Sequence, residues 1–233
     1  MNEKFIRSAL LLGDDFLNKL SDKHIAVFGV GGVGGYVVET LIRCGIEHIS
    51  LFDNDIVSLS NINRQIIALN STIGKSKVEV LKQRILDINE NVKVDIYQMF
   101  VDKNNIDKID FTSFDYVIDA VDTVSTKLLI IEKCINNNVD IISSMGTGNK
   151  ISSEGLEITD ISKTSYCPLA KVMRKELKKR NIFHVNVLSS KVPPIKVVSN
   201  SCNGRHAPGS VSFIPSIGGI KIAEFVIKDI LNN

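Results

Sequence analysis

A glycine-rich segment constrains the fold more strongly than any other feature of the sequence. The residues Gly29-Val30-Gly31-Gly32-Val33-Gly34 follow an apolar run at 24–28 and precede a stretch with helical periodicity. The spacing G-x-G-x-x-G between a strand and a helix provides a tight turn that a phosphate can approach at the positive end of the helix dipole. Asp53 ends the next apolar run, where a carboxylate can accept hydrogen bonds from ribose hydroxyls. Together these features predict a nucleotide site.

Apolar runs of strand length alternate with amphipathic runs of helix length along most of the chain, which is typical of a doubly wound α/β protein. We predict an α/β fold with a Rossmann-like doubly wound, mostly parallel sheet and a C-terminal substrate-binding extension. Near residue 145 the alternation weakens. The predicted strands are 24–28, 47–52, 92–97, 115–118, 139–143, 156–159 and 183–188, and the predicted helices are 3–20, 76–89, 168–180 and 216–231.

Residues that follow the second and fourth predicted strands indicate which nucleotide binds. Segment 53–65 contains Arg64 and several amides, Lys77 stands at a predicted helix start, and the fourth strand leads into Asp119 and Asp122. The carboxyl ends of neighbouring parallel strands share one rim of the sheet, so these side chains should converge. Cations with a carboxylate that can bind magnesium suit a triphosphate, whereas a nicotinamide site has no such need. Taken singly, Arg64 and Lys77 are also explained as solvated surface charges, and Asp122 is also explained as a helix N-cap.

Charge, hydropathy and cysteine content exclude several other classes of protein. The formal charge is +2, which excludes a protein that is strongly basic along its whole length. No apolar run approaches the roughly 20 residues of a membrane span, and acidic residues come too early in MNEKFIRSALLLGDD for a signal peptide. We therefore expect a cytoplasmic protein with no membrane partner. No zinc site is expected, because no CxxC pair is formed by Cys44, Cys134, Cys167 and Cys202.

Four segments, in this order and spacing, resemble the ubiquitin-activating-enzyme-like ThiF/MoeB superfamily. The joint signature is far more specific than an isolated glycine motif. The resemblance implies that ATP activates a carboxylate as an acyl-adenylate. The segments are GVGGVGG at 29–35, DNDIVSLSNINRQ at 53–65, GKSK at 74–77 and VIDAVDTVSTK at 117–127.

The resemblance also implies roles for individual residues. The glycine loop would cradle phosphate, Asp53 would hold the ribose, and Asp122 would hold Mg²⁺. Arg7 resembles an arginine that the N-terminal arm contributes to the site of a partner subunit, which implies a homodimer. The implied catalytic residues are Arg64, Lys77, Asp122 and Arg7, and the implied nucleotide-binding residues are Gly29, Gly31, Gly32, Gly34, Asp53, Asp55, Asn61, Arg64, Gln65, Lys77 and Asp119.

The second half of the chain narrows the resemblance to one branch. Segments 158–180 and 208–230 resemble the TcdA branch, which implies ATP-dependent dehydration of threonylcarbamoyladenosine next to the anticodon of tRNA. An alternative function is activation of the C-terminal glycine of a ubiquitin-like sulfur-carrier protein, although enzymes of that type often hold zinc in two CxxC pairs. An NAD-binding protein is a second alternative, and it would leave Arg64, Lys77 and Asp122 without a role.

A basic segment agrees independently with an RNA substrate. Residues 171–196 carry eight cations and one Glu, a net charge of +7 in a chain whose total is +2. Such a patch favours salt-sensitive phosphate contacts without sequence readout, although a solvated helix face would have the same composition. The predicted RNA-binding residues are Lys171, Arg174, Lys175, Lys178, Lys179, Arg180 and Arg205.

We expect these parts to form one integrated domain. It would comprise a helical arm at 1–22, an ATP-binding Rossmann-like core at 23–145, and a C-terminal extension at 146–233. Residues 145–150 and the loop before Pro208 are expected to shield the adenylate from water. The sequence leaves open a monovalent cation near the phosphates, a cysteine desulfurase or sulfur-acceptor partner, the base for ring closure and a role for Cys167.

Overall fold

A seven-stranded sheet lies at the centre of the protein. The computed structural model describes residues 3–196 and 208–232. The strand order is β3-β2-β1-β4-β5-β7-β6, and every neighbouring pair is parallel except β6 with β7. This arrangement confirms the predicted mostly parallel sheet. The strands are β1 (His24–Phe28), β2 (His48–Phe52), β3 (Lys93–Tyr97), β4 (Tyr116–Asp119), β5 (Asp140–Ser144), β6 (Leu156–Asp160) and β7 (Asn186–Ser190).

Helices cover both faces of the sheet, as a doubly wound fold requires. One buried hydrophobic cluster joins α3, α4 and α7 to one face, and a second joins α5 and α6 to the other. None of the helices in the described ranges combines the length and apolar character needed to cross a bilayer. The helices are α1 (Ile6–Leu12), α2 (Phe16–Ser21), α3 (Gly34–Arg43), α4 (Lys77–Ile88), α5 (Val124–Asn136), α6 (Pro168–Lys178) and α7 (Phe213–Asn232).

The structure shifts several predicted boundaries by one to three residues. The predicted helix at 3–20 is two short helices, because the chain turns at Gly13, whose φ is 84°. Glycine adopts this left-handed conformation without a Cβ clash. Helix α7 starts earlier than predicted and contains Pro215 in its first turn, where a backbone N–H has no intrahelical acceptor to lose. Strand β7 begins three residues later than predicted.

Two glycines of the loop after β1 are required by packing. A Cβ at Gly34 would lie only 1.8 Å from the carbonyl oxygen of Gly29. Gly29 itself has a φ of 84°, and a Cβ there would lie 2.8 Å from the carbonyl oxygen of Ala120. Their missing side chains therefore let α3 start directly against β1 and bring the loop after β4 alongside. At Gly31 and Gly32 the atoms nearest to such a Cβ belong to side chains, so backbone contact does not account for these two glycines.

Candidate nucleotide site

A cavity of about 540 Å³ opens at the carboxyl ends of β1, β2 and β4. Its volume lies within the range of ligand pockets, roughly 300–1,000 Å³. The chain crosses to opposite sides of β1 at this point, and ligands of open α/β sheets bind at such topological switch points. Most of the predicted site residues line the cavity: Gly29, Gly31, Gly32, Asp53, Asp55, Asn61, Arg64, Gln65, Lys77 and Asp122.

The glycine loop leaves space that side chains would fill. A Cβ at Gly31 would lie 3.6 Å from Nε2 of Gln65, and a Cβ at Gly32 would lie 3.2 Å from Cβ of Pro215. Helix α3 begins directly after these residues, so its free N–H groups and positive dipole end face the same region. The floor of the cavity therefore suits an anionic ligand such as a phosphate chain.

Asp53 links the glycine loop to the segment after β2. Its Oδ2 accepts the N–H of Val30 at 2.8 Å, and its Oδ1 accepts the N–H of Asp55 at 2.9 Å. Burial raises the pKa of the Asp53 carboxyl, while the charge of Lys77 and the two amide hydrogen bonds oppose that rise. Each carboxylate oxygen keeps a further lone pair, so ribose hydroxyls can still donate to this side chain.

Two cations lie on the side of the cavity formed by residues 53–77. Lys77 is only 5% exposed, and its Nζ donates to Oδ2 of Asp55 at 2.7 Å. Arg64 is half-buried, and its guanidinium donates to the carbonyl of Ser60 at 2.7 Å and to Oδ1 of Asn63 at 3.0 Å. Within the described ranges no carboxylate pairs with Arg64, so its charge is available to an anionic ligand.

Gln65 carries an unsatisfied acceptor beside the cavity. The residue is 7% exposed, and its buried Oε1 has no hydrogen-bond partner among the described residues. A buried polar atom without a partner costs about 1–3 kcal/mol. A ligand with a hydroxyl or amino donor would remove that cost, which agrees with a nucleoside at this position.

Asp122 presents an exposed carboxylate to the cavity. The N-cap residue of α5 is Thr123 and not Asp122, and no side-chain capping bond is formed there. The Thr123 hydroxyl lies 3.3 Å from Oδ1 of Asp122. The N-cap explanation for Asp122 is therefore wrong, and the carboxylate remains free to face a cation.

Three of the predicted catalytic and nucleotide-binding residues do not line the cavity of this chain. Asp119 is fully buried, where it accepts from Lys127 Nζ at 2.9 Å and Ser143 Oγ at 2.5 Å, so it is not placed to contact a nucleotide. Its Oδ1 accepts the N–H of Val121 at 3.2 Å, which supports the loop that carries Asp122. The other two are Gly34, which packs against Gly29, and Arg7, which is exposed on α1.

An apolar side of the cavity was not predicted. Phe52 stacks between Phe28 and Tyr97, with ring centroids 4.3 and 4.4 Å away. No motif marks these positions, but the same rim argument that selected Asp53 also applies to residues after β3. The apolar lining residues on this side are Phe28, Phe52, Met99, Phe100 and Val101.

Residues beyond β5 form the outer wall of the cavity. Thr147, Gly148, Pro208 and Ser210 line it, which agrees with the expected cover at 145–150, whereas the loop before Pro208 lies outside the described residues. Asn149 fixes the wall, because its N–H donates to the Gly209 carbonyl at 2.7 Å and its Oδ1 accepts the Gly209 N–H at 2.6 Å. Segment 208–210 is thus held against the mouth of the cavity.

Cys167 is buried at the start of α6 and does not line the cavity. A Cβ at Gly146 would lie 3.6 Å from its Sγ, so the thiol packs against the base of the outer wall. We assign it no covalent role.

Acidic residues from outside the basic segment compensate part of its positive charge in the folded protein. Arg180 Nε lies 3.0 Å from Glu132 of α5, and Lys191 Nζ lies 2.6 Å from Glu157 of β6. Arg174 uses its guanidinium to hold Thr164. The exposed lysines of α6 therefore carry most of the available charge, and Arg205 lies outside the described residues.

Known proteins match both the sequence and the fold. A model of the ThiF family matches residues 5–197. The tRNA threonylcarbamoyladenosine dehydratase of Bacillus subtilis is 38% identical over a 245-residue alignment that covers 100% of this chain and 96% of that protein. The Escherichia coli dehydratase is 38% identical over 176 residues, which cover 76% of this chain and 66%, just under two thirds, of that protein. Crystal structures of the E. coli dehydratase with ATP and with AMP align with TM-scores of 0.90 and 0.91 at 31% identity, covering 99% of this chain and 94% of theirs.

Proposed function

The chain belongs to the ThiF family, and from this membership we infer that it catalyses ATP-dependent dehydration of threonylcarbamoyladenosine next to the anticodon of tRNA. The observation that carries this inference is the match to a dehydratase along the whole chain, including the basic helix and α7. The site agrees with it, because the glycine loop, Asp53, Arg64 and Lys77 share one cavity of nucleotide size. The substrate also supports a cytoplasmic location.

The first step joins the substrate carboxylate to AMP. The threonyl carboxylate attacks the α-phosphate of ATP, the bond to the β-phosphate breaks, and pyrophosphate leaves. Negative charge builds on the phosphate oxygens, and Arg64 and Lys77 stabilise it from the 53–77 side of the cavity. Asp53 holds the ribose, and Gln65 accepts a nucleoside donor at its unsatisfied oxygen.

We assign Mg²⁺ to Asp122. This carboxylate is exposed, lines the cavity and does not cap α5, and Mg²⁺ prefers carboxylate oxygen ligands. When bound, the ion would neutralise charge on the triphosphate. The buried Asp119 supports the Asp122 loop through the Val121 N–H.

The second step closes a ring within the substrate. A nucleophilic atom of the same threonylcarbamoyl group attacks the activated carbonyl and displaces AMP, so the substrate loses one water overall. Water competes for the adenylate, and the wall formed by Thr147, Gly148 and Pro208 limits its access.

Two rival functions explain less of the chain. Activation of a glycine-tailed sulfur carrier would use the same ATP residues, but the match to the dehydratases extends through the C-terminal extension. An NAD-binding protein would leave Arg64, Lys77 and Asp122 of the cavity unused.

The test is a mass analysis of the product. Purified protein is incubated with ATP, magnesium and tRNA that carries threonylcarbamoyladenosine. The tRNA is then digested, and the masses of its nucleosides are measured by mass spectrometry. We expect an ATP-dependent nucleoside lighter by one water, with AMP and pyrophosphate in equal amounts. Unchanged tRNA, together with pyrophosphate exchange stimulated by a glycine-tailed carrier protein, would transfer the assignment to the carrier-activating function.

We further propose a homodimer in which Arg7 completes the partner's site. Arg7 is exposed on α1 and does not line the cavity of its own chain. The same helix exposes Leu10 at 83% and Leu11 at 88%, an apolar surface that a second copy would cover.

Mixing two inactive variants tests this arrangement. Arg7→Ala and Arg64→Ala are each expected to be inactive alone, because every site lacks one arginine. In a random mixture half of the dimers are mixed, and each mixed dimer has one intact site, so about a quarter of wild-type activity should return. Arginines acting within one chain would give no recovery, so a mixture that stays inactive while gel filtration shows mixed dimers contradicts the proposal.

A further inference from the structure

Tyr166 combines an exposed aromatic ring with an unusual backbone. Its φ is 58°, in the left-handed region that a bulky residue rarely adopts, and the residue is 66% exposed. No aromatic ring among the described residues stacks on it. Strain of this kind often marks a residue positioned for a ligand.

The turn before Tyr166 is fixed to α6. Arg174 donates from its guanidinium to the Thr164 carbonyl at 3.0 Å and also to the Thr164 hydroxyl. The adjoining 3₁₀ turn, Ile161–Lys163, ends in an exposed lysine. Lys163 and Tyr166 therefore lie on either side of a residue that is hydrogen-bonded to α6.

Helix α6 carries a row of uncompensated positive charge. Lys171, Lys175 and Lys178 recur at four- and three-residue steps, so they share one exposed face about 10 Å long. Among the described residues none of the three forms an ion pair. By contrast, Lys179 pairs with Glu176 at 2.7 Å.

The surface formed by Lys163, Tyr166 and the lysines of α6 begins beside the nucleotide cavity. Cys167, the neighbour of Tyr166, packs close to Gly146, and the residue after Gly146 lines the cavity. An RNA that reached the cavity along α6 would pass the lysines of that helix and then Tyr166.

We propose that Tyr166 stacks on an unpaired base of the anticodon loop while Lys163, Lys171, Lys175 and Lys178 contact the flanking phosphates. Aromatic side chains stack on splayed loop bases irrespective of sequence, and lysines supply the salt-dependent part of the affinity. This inference rests on the proposed tRNA substrate and adds which part of the RNA this face binds.

Measuring the binding of two RNAs distinguishes the contribution of the Tyr166 ring from that of the lysine charges. Fluorescence anisotropy is measured with an anticodon stem-loop and with a blunt duplex of the same stem. Tyr166→Leu is expected to weaken stem-loop binding about tenfold and leave the duplex unchanged, whereas Tyr166→Phe keeps wild-type affinity for both. Lys171→Gln should weaken both RNAs and lower the slope of log K against log salt by about 1. Lys228→Gln, which removes an exposed lysine of α7 that pairs with Glu224 at 2.5 Å, is the matched control and should change neither.

Several results would overturn the inference. Tyr166→Leu with wild-type affinity for the stem-loop would remove the stacking role, and equal weakening of stem-loop and duplex would remove the preference for an unpaired base. If Tyr166→Leu kept wild-type affinity for both RNAs but lost binding to a protein partner, this face would be a protein-binding surface. Because Tyr166→Asn also suits a left-handed backbone, its melting temperature should not fall, so a loss of stem-loop binding by that variant is not a folding defect.

The proposed function fails separately. Wild-type protein that binds the stem-loop through Tyr166 but never dehydrates the modified tRNA would refute the function and leave this surface standing. If the wild-type protein dehydrates the modified tRNA and Tyr166→Leu changes neither kcat/KM nor RNA binding, only the RNA-binding role of this surface is refuted.

Discussion

An Arg64→Ala variant should release pyrophosphate about 10²–10³-fold more slowly than the wild-type protein, with tRNA affinity almost unchanged. Arg64 lines the cavity, and no carboxylate of the described chain pairs with its charge. Its two hydrogen bonds, to Ser60 and Asn63, orient the guanidinium without neutralising it. The side chain therefore supplies positive charge where the phosphates gain negative charge, and the variant loses it at that stage of the reaction.

The measurement pairs single-turnover pyrophosphate release with anisotropy binding of tRNA. Arg64→Lys should be intermediate, because an ammonium keeps the charge but lacks the planar fork of donors. Arg43→Ala is the control: Arg43 is exposed at the end of α3, pairs with Glu39 at 2.8 Å and does not line the cavity. A rate for Arg64→Ala within threefold of the wild type would remove Arg64 from the chemistry.

Lys127→Met should lower the free energy of unfolding by about 3–5 kcal/mol. Lys127 and Asp119 are both fully buried and lie 2.9 Å apart. Without the lysine, Asp119 keeps only the Ser143 hydroxyl and the Val121 N–H as partners, and a buried carboxylate without a counter-charge is costly. Urea denaturation measures the loss.

Two further variants establish that the loss comes from an unpaired charge. Lys133→Met, on the same helix, removes a mostly exposed pair with Asp107 and should cost less than about 1 kcal/mol. The double change Lys127→Met with Asp119→Leu removes both charges and should recover much of the stability. If the double variant is no more stable than Lys127→Met, packing and not charge explains the effect.

The family and the fold class that the sequence predicts are confirmed, and most of the residues predicted for the nucleotide site line one cavity. Local spacing explains this success. Gly31, Gly32 and Asp53 directly follow strands, so the rim that they occupy is determined by the strands themselves. Arg64 and Lys77 belong to the connection between β2 and α4 and to the start of that helix, and both line the same cavity.

Features that depend on distant packing could not be predicted. Asp119 ends a strand like Asp53, but Lys127 on the following helix and Ser143 on β5 enclose it. The charge count over 171–196 could not include Glu132 of α5, which pairs with Arg180 from outside that segment. The outer wall joins Asn149 to Gly209, 60 positions later, and no periodicity records that contact.

The cavity has a floor built before residue 127 and an outer wall built after residue 145. This division has a consequence for how such a protein can diverge. Changes in the wall can alter which acyl group enters while the contacts to phosphate and ribose stay intact, because the two parts are built from different segments of the chain. Descendants of one ancestral nucleotide-activating sheet could thus acquire new substrates by exchanging the later segment, with the energetically demanding activation step inherited unchanged.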